Sequence, residues 1–241
     1  MKVIYIPFNK KNLIFLAISI ILVTALIVLV FYNSFNKGVF SVMAPQAIYK
    51  GNENLSKVAF ACNVVWGTEF IPQMLDIFDE RDLKITFFIG GEWAEDNPEL
   101  LSHMVNAGHE LGNHGYYHKH HSQLNIDENI REIRDTEDLI YNLVGLRTRL
   151  FAPPYGEFND ITLKAAESLG YRTIMWSIDT IDWRREGARI ITDRVVKNPH
   201  NGAIILMHPV EDTLEALPTI IDELRNRGFE IGKVSDILPP D

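Results

Sequence analysis

The sequence predicts an α/β protein: a barrel-like ring of about seven parallel strands with helices packed outside, preceded by one N-terminal transmembrane helix. Three observations predict it. From Lys57 onward, short β-rich runs alternate with amphipathic stretches, the pattern of a parallel sheet covered by helices. Nearly every β-rich run ends in something chemically distinctive. That suits a barrel, whose functional groups come from the C-terminal ends of many strands, better than an open sheet with a single switch point. Ahead of the alternation, Leu13 to Phe31 is apolar except for Ser19 and Thr24, close to the roughly 20 residues that span a bilayer.

The N-terminus comes first. A buried core helix would carry polar positions at helical spacing, and this run carries none. Lys2, Lys10 and Lys11 precede it, while only Lys37 and Lys50 follow closely. The positive-inside bias therefore predicts a cytoplasmic N-terminus (1–11), a single-pass anchor (12–32), a polar linker (33–56) and an extracytoplasmic domain (57–241). The stretch "VMAPQA" offers a cleavage candidate at Ala44, but the proline after it makes cleavage unfavourable. Strands are expected at 57–65, 84–90, 109–113, 149–153, 172–178, 203–208 and 229–234. Helices are expected near 70–82, 94–107, 127–144, 159–169, 189–198 and 212–227. Asp127 can open one helix that stops at Gly145, and Asn159 or Asp160 can cap another that stops at Gly170.

Composition narrows the function. Residues 1–50 hold five of the 23 lysines and arginines and none of the 32 acids, so the remainder is strongly acidic. Such a domain repels nucleic acid, and no nucleic-acid partner is expected. A lone cysteine, Cys62, excludes an internal disulfide.

Four of the eight histidines (His114, His118, His120, His121) fall in "NHGYYHKHH". The spacing of His114 and His118 suits two ligands of one metal, though a polar loop of this kind is also compatible with simple solvation. His109, inside the preceding strand, reads as a packed or supporting residue. "FAPPYGEF" is a rigid turn: Pro153 and Pro154 fix the backbone, Tyr155 offers a ring with a hydroxyl, and Gly156 permits close approach. "WSIDTIDW" sets two acids beside two tryptophans, a combination suited to a carbohydrate's C–H faces and hydroxyls. "LMHP" puts His208 at the tip of an apolar strand.

In order, "VAFACNVVWG", "GHELGNHGYYH", "FAPPYG", "DTIDW" and "ILMHP" resemble the five motifs of the polysaccharide deacetylase family, the NodB-homology carbohydrate esterases. The resemblance runs from about Lys57 to the C-terminus, and the anchor with "VVWG" is most similar to the membrane-attached, sporulation-associated branch. It implies a distorted (β/α) barrel of about seven strands and metal-dependent hydrolysis of N-acetyl groups on a cell-wall or related polysaccharide such as peptidoglycan. It also implies a divalent metal, usually zinc, on an aspartate and two histidines, with His114 and His118 as those histidines. His208 resembles the general acid, Asp182 the acid that tunes it, and Tyr155, Pro154 and Trp183 the wall of the substrate groove.

The same resemblance exposes departures. Asn63 stands where the family has its base aspartate, and an amide takes no proton from water at neutral pH. Val64 stands where the family has its metal aspartate, and Ala152 where it has the arginine that holds the base. Glu157 is the expected source of what basic help remains. Three functions stay open: a working deacetylase with substituted parts, a catalytically silent glycan-binding protein, or another amide hydrolysis on the same rim. The retained acid pair favours the first.

Overall fold

The computed structural model describes residues 9–37 and 45–239. The chain divides into two units, Met1–Ala44 and Pro45–Asp241. In the first, α1 (Lys10–Lys37) is one uninterrupted helix. Its 20-residue segment Lys10–Leu29 has a mean hydropathy of 2.8. At 1.5 Å per residue that segment is about 30 Å long, enough to cross a membrane's hydrocarbon. Expectations for the first eight residues and for cleavage at Ala44 fall outside the described residues.

The second unit is a curved parallel sheet clad in helices. Its strands are β1 (Lys57–Val64), β2 (Thr86–Ile89), β3 (Glu110–Asn113), β4 (Leu150–Phe151), β5 (Arg172–Thr173), β6 (Ile178–Asp179), β7 (Ile204–Met207) and β8 (Glu230–Gly232). They lie in the order β5-β4-β3-β2-β1-β7-β6, with β8 paired to the start of β1. The stretch 172–178, expected as one strand, is two. β5 and β6 sit at opposite ends of the sheet order but only Ile174–Ser177 separates them, so the chain itself closes the ring. Residues expected in the linker help: the Ile48 N–H donates to the Thr173 carbonyl, and the Met175 N–H donates to that of Ile48. The barrel expectation holds, distorted at this seam.

Local sequence explains the helices α2 (Ile71–Glu80), α3 (Gly91–Asp96), α4 (Pro98–Asn106), α5 (Ile126–Val144), α6 (Asp160–Ser168), α7 (Ala188–Val196) and α8 (Glu211–Asn226). The expected helix over 94–107 breaks because Pro98 starts a new one at its first position. Asn125, not Asp127, caps α5, in a reciprocal capping box with Glu128, while Asp127 lies in the first turn, where a negative charge favours the helix dipole. Asn159 caps α6.

Strand β1 shows how the core positions the site. Val58, Phe60, Cys62 and Val64 pack under the helices with Ile71, Met74 and Leu217. Ala59 and Ala61 face the barrel interior with Phe88, Ala152, Ile174 and Ile204. Side chains alternate along a strand, so the inward series continues to Asn63. This corrects the expectation for Val64. That side chain is fully buried in the outer core, and the residue of the pair's neighbourhood that lines the site is Val65.

Candidate active site

The C-terminal ends of the strands open into a cavity of about 440 Å³ lined by Asn63, Val65, Trp66, His114, His118, Tyr155, Gly156, Trp176, Asp179, Trp183, Leu206 and His208. Six of the nine expected site residues meet here: Asn63, His114, His118, Tyr155 and His208, with Trp183 on the rim. Asp182 lies directly behind His208. Pro154 and Glu157 do not line the cavity.

The acid side is the most completely bonded part. Asp182 is fully buried. Its Oδ1 accepts from His208 Nδ1 at 2.7 Å, and its Oδ2 accepts from the His208 backbone N–H at 2.6 Å and the Thr213 hydroxyl at 2.7 Å. Burial works to raise its pKa, but the hydrogen bond and charge of His208, with Thr213 and the backbone N–H, outweigh it and hold the carboxyl below its ordinary value. An ionised carboxylate only accepts, so Nδ1 of His208 carries its proton and Nε2 is left to face the cavity. Trp66 stacks on the imidazole, centroids 5.3 Å apart and planes within 13°. A close approach makes that packing possible: Gly67 has φ 76°, and a Cβ there would fall on the Pro209 carbonyl oxygen.

The paired histidines come from the loop after β3. His114 is buried, and its Nδ1 lies 2.7 Å from the Ala152 carbonyl, so Nδ1 donates and Nε2 keeps a free lone pair. Burial, and then the neighbouring His118, push its pKa well down. His118, with ring centroid 5.0 Å from that of His114, is lowered to about 4 by burial and then by the other histidines. Both are neutral at physiological pH, the state a metal ligand needs. Glu132, which the sequence reading missed, shapes the loop: its Oε2 accepts the N–H groups of Tyr116 and Tyr117, and its Oε1 pairs with Lys119 at 2.7 Å. His121, the last histidine of the cluster, is buried, with Nδ1 2.7 Å from Asn129 Oδ1.

Residues His118, Tyr155 and Ile181 all hold left-handed backbone (φ 50°, 60° and 52°), a strain tolerated where surrounding structure over-determines the chain. Tyr155 stacks on exposed His120 with centroids 4.1 Å apart. Glu157 points to that same outer face: Oε2 is 2.9 Å from His120 Nδ1 and accepts from Ser122 Oγ at 3.1 Å. The hydrogen bond from His120 chiefly lowers its pKa.

The base side is bare. Asn63 is 5% exposed and its Oδ1 has no hydrogen-bond partner among the described residues. Among those residues no third His, Cys, Asp or Glu joins the histidine pair. A divalent cation thus fits in part: two oriented neutral imidazoles, and one unpartnered amide oxygen lining the same cavity. Asp179 is a further lining carboxylate that sequence reading left without a role. Its oxygens accept from Trp176 Nε1 at 3.2 Å and the Ile181 N–H at 2.8 Å. The motif "WSIDTIDW" displayed it, whereas nothing local marks Thr213 or Glu132.

This geometry defines a barrel hydrolase scaffold with an acid relay and a histidine pair on one rim. Residues 51–174 match the polysaccharide deacetylase family, and the chain belongs to that family. It is 36% identical over 196 residues to the uncharacterized protein YlxY of Bacillus subtilis, covering 81% of this chain and 61% of that protein. It is 34% identical over 185 residues to a peptidoglycan-N-acetylglucosamine deacetylase of Bacillus cereus, covering 75% of this chain and 67% of the relative. Among solved structures, it is similar to a CE4 family pseudoenzyme from Bacillus anthracis at 38% identity and a TM-score of 0.80, covering 82% of this chain and 70% of that one. A mutant of that pseudoenzyme with restored enzymatic activity is similar at 36% identity and the same TM-score, covering 82% and 72%.

Proposed function

We propose that this chain is a membrane-anchored hydrolase of N-acetylated cell-wall glycan, with its domain on the extracytoplasmic side. The observation that carries the reading is that the His208–Asp182–Thr213 relay opens onto the cavity shared by His114 and His118. Trp66, Tyr155 and Trp183 supply aromatic faces for the sugar rings. His208 Nε2 protonates the departing amine as the amide C–N bond breaks, and Asp182 holds the imidazole and stabilises its protonated form. His114 and His118 would hold a divalent cation, zinc by ligand type, with the Asn63 amide oxygen as a neutral third donor. When bound, such a cation polarises the acetyl carbonyl and acidifies water. Asn63 takes no proton, and Glu157 faces away from the cavity, so turnover is slow beside that of a chain with aspartate at position 63.

A second reading, a glycan-binding protein without turnover, is favoured by the bare base side. One experiment decides between them: acetate release from N-acetylglucosamine oligomers and peptidoglycan by the full chain and by His208→Ala. Release that falls at least tenfold in the variant supports hydrolysis. Equal release, with glycan binding retained in both, leaves the binding function.

A further inference from the structure

The loop that carries Asp182 and Trp183 leaves β6 through one strained residue. Ile181 holds left-handed backbone (φ 52°), and Arg185 (φ 54°) does the same at the far end of the short 3₁₀ turn Asp182–Arg184. A β-branched side chain fits that region worst, because its branches crowd the neighbouring backbone. The turn that follows has two outputs. Buried Asp182 faces His208, while the next residue, Trp183, stands 54% exposed on the rim.

The direct escape from left-handed backbone at Ile181 is a flip of the peptide group between Thr180 and Ile181. Both polar ends of that peptide are held by side chains. Its N–H donates to Asp179 Oδ1 at 2.8 Å, and its carbonyl accepts from Arg194 Nη1 at 2.9 Å. The two partners come from different elements, Asp179 from the end of β6 and Arg194 from α7. Each is itself fixed. Asp179 Oδ2 accepts from Trp176 Nε1 at 3.2 Å, and Arg194 Nη2 pairs with Glu186 of the same loop. Arg194 Nη1 also reaches the Ile181 carbonyl, at 3.5 Å. A flipped peptide would turn its carbonyl oxygen toward the Asp179 carboxylate and its N–H toward the guanidinium, like against like at both ends. Over-determination of this kind is what lets a strained residue persist.

From this arrangement we propose that Asp179 and Arg194 are positioning residues, a two-ended clamp on the Thr180–Ile181 peptide that aims Asp182 and so orients the His208 imidazole. Arg194 is absent from the cavity lining and acts only through the loop. Released from the clamp, Ile181 relaxes, the turn swings, and Asp182 Oδ1 leaves His208 Nδ1. The consequence for turnover rests on the hydrolase reading, whereas the clamp itself is visible at His208 without any substrate.

The test uses the full chain in neutral detergent micelles and follows the His208 Nδ1 proton by NMR, assigned by its loss in His208→Gln. Exchange of that proton with water should quicken at least tenfold in Arg194→Met and in Asp179→Ala, which free opposite ends of one peptide. Acetate release from N-acetylglucosamine oligomers should fall at least tenfold in both. Ile181→Gly supplies the discriminating background, because glycine accepts positive φ without strain. In that background Arg194→Met should quicken exchange no more than threefold. An arginine that merely steadied α7 would show the same effect in both backgrounds. Equal quickening in the two, or unchanged exchange in a folded single variant, overturns the proposal. Two single variants guard against one that fails to fold, and circular dichroism identifies it. A wild type that releases no acetate sinks the hydrolase reading, while proton exchange still decides the clamp.

Discussion

The two sides of the groove are built to opposite standards. On the acid side, every polar atom of Asp182 is spoken for, by His208 twice and by Thr213. On the base side, Asn63 presents a buried oxygen to nothing, beside Val65 and in a barrel interior that contains Ala152. The difference teaches that the acid pair has a structural job of its own. A buried carboxylate deprived of its partner typically costs about 3–5 kcal/mol, so the relay supports the fold whether or not the protein turns over substrate. A neutral amide in place of the base leaves no such charge, and the fold tolerates the change. Retention of His208 and Asp182 therefore carries less weight for activity than its completeness suggests, and the base side is where the proposed activity is best tested.

The largest expected effect follows. Asn63→Asp places a carboxylate in a buried position that opens onto the cavity, where burial raises its pKa toward that of a working base. Acetate release should rise about 10²–10⁴-fold, the usual worth of a positioned general base. No gain, with the fold and glycan binding intact, would break the contrast by showing that the base is not what the groove lacks.

Next is the stability role of the acid side. His208→Ala should destabilise the domain by about 3 kcal/mol at pH 7, seen as a lower urea midpoint, while Thr213→Val should lose about 1 kcal/mol for one hydrogen bond. The sign with pH is fixed by Asp182, whose folded-state pKa is below its ordinary value of 3.8. Its stabilisation is fully present above that value and is lost as pH falls through the folded one, so the deficit of His208→Ala should shrink in strong acid. A deficit below 1 kcal/mol at pH 7 would mean the relay exists for chemistry alone.

The acid arm of that comparison is read as the difference between wild type and His208→Ala at each pH, because His109 adds an acid sensitivity of its own, far from the groove, to both proteins. His109 Nδ1 accepts the Ile85 N–H at 3.1 Å, and burial, then the charge of Lys84, lower its pKa from 6.5 to about 4. The folded state refuses a proton that the unfolded chain accepts, so stability is lost as pH falls from 6.5 toward 4, by up to about 3 kcal/mol. His109→Gln should flatten that slope. An unchanged slope would assign the acid sensitivity to the groove histidines instead.

How much of this was legible follows from what kind of signal each residue leaves. His114, His118, Asp182 and His208 stand at strand ends, and strand periodicity locates such ends well. The barrel was legible for the same reason, but its seam was not: nothing local in "RTIMWSI" says that the chain leaves one edge at Thr173 and joins the other at Ile178. Val64 was misplaced because motif order does not say which of two adjacent residues faces inward, whereas the alternation Ala59, Ala61, Asn63 does once the inner face is known. Glu157 sits next to the right turn but its side chain is captured by His120 and Ser122, a contact across more than 30 residues of sequence. Thr213 acts at similar range, and Glu132 reaches across 15 and 16 residues to Tyr117 and Tyr116; no spacing announces either.

The smallest effect is the most discriminating. A buried acceptor without a partner costs roughly 1–3 kcal/mol, so Asn63→Val, which removes the orphan oxygen while filling similar space, should leave the metal-free domain equally stable or up to about 1 kcal/mol more stable. With zinc present the order should reverse. If the Asn63 oxygen completes a shell with His114 and His118, wild type gains stability from the ion according to its affinity, and Asn63→Val gains less. His114→Ala should gain nothing, which ties the effect to the groove. Thermal midpoints of the three proteins, with chelator and across a zinc titration, give the comparison directly. A zinc-induced shift that is equal in wild type and Asn63→Val would mean that the cation is held by the histidines and water. The unpartnered oxygen would then be left as an acceptor for substrate, and the base side would be bare in every sense.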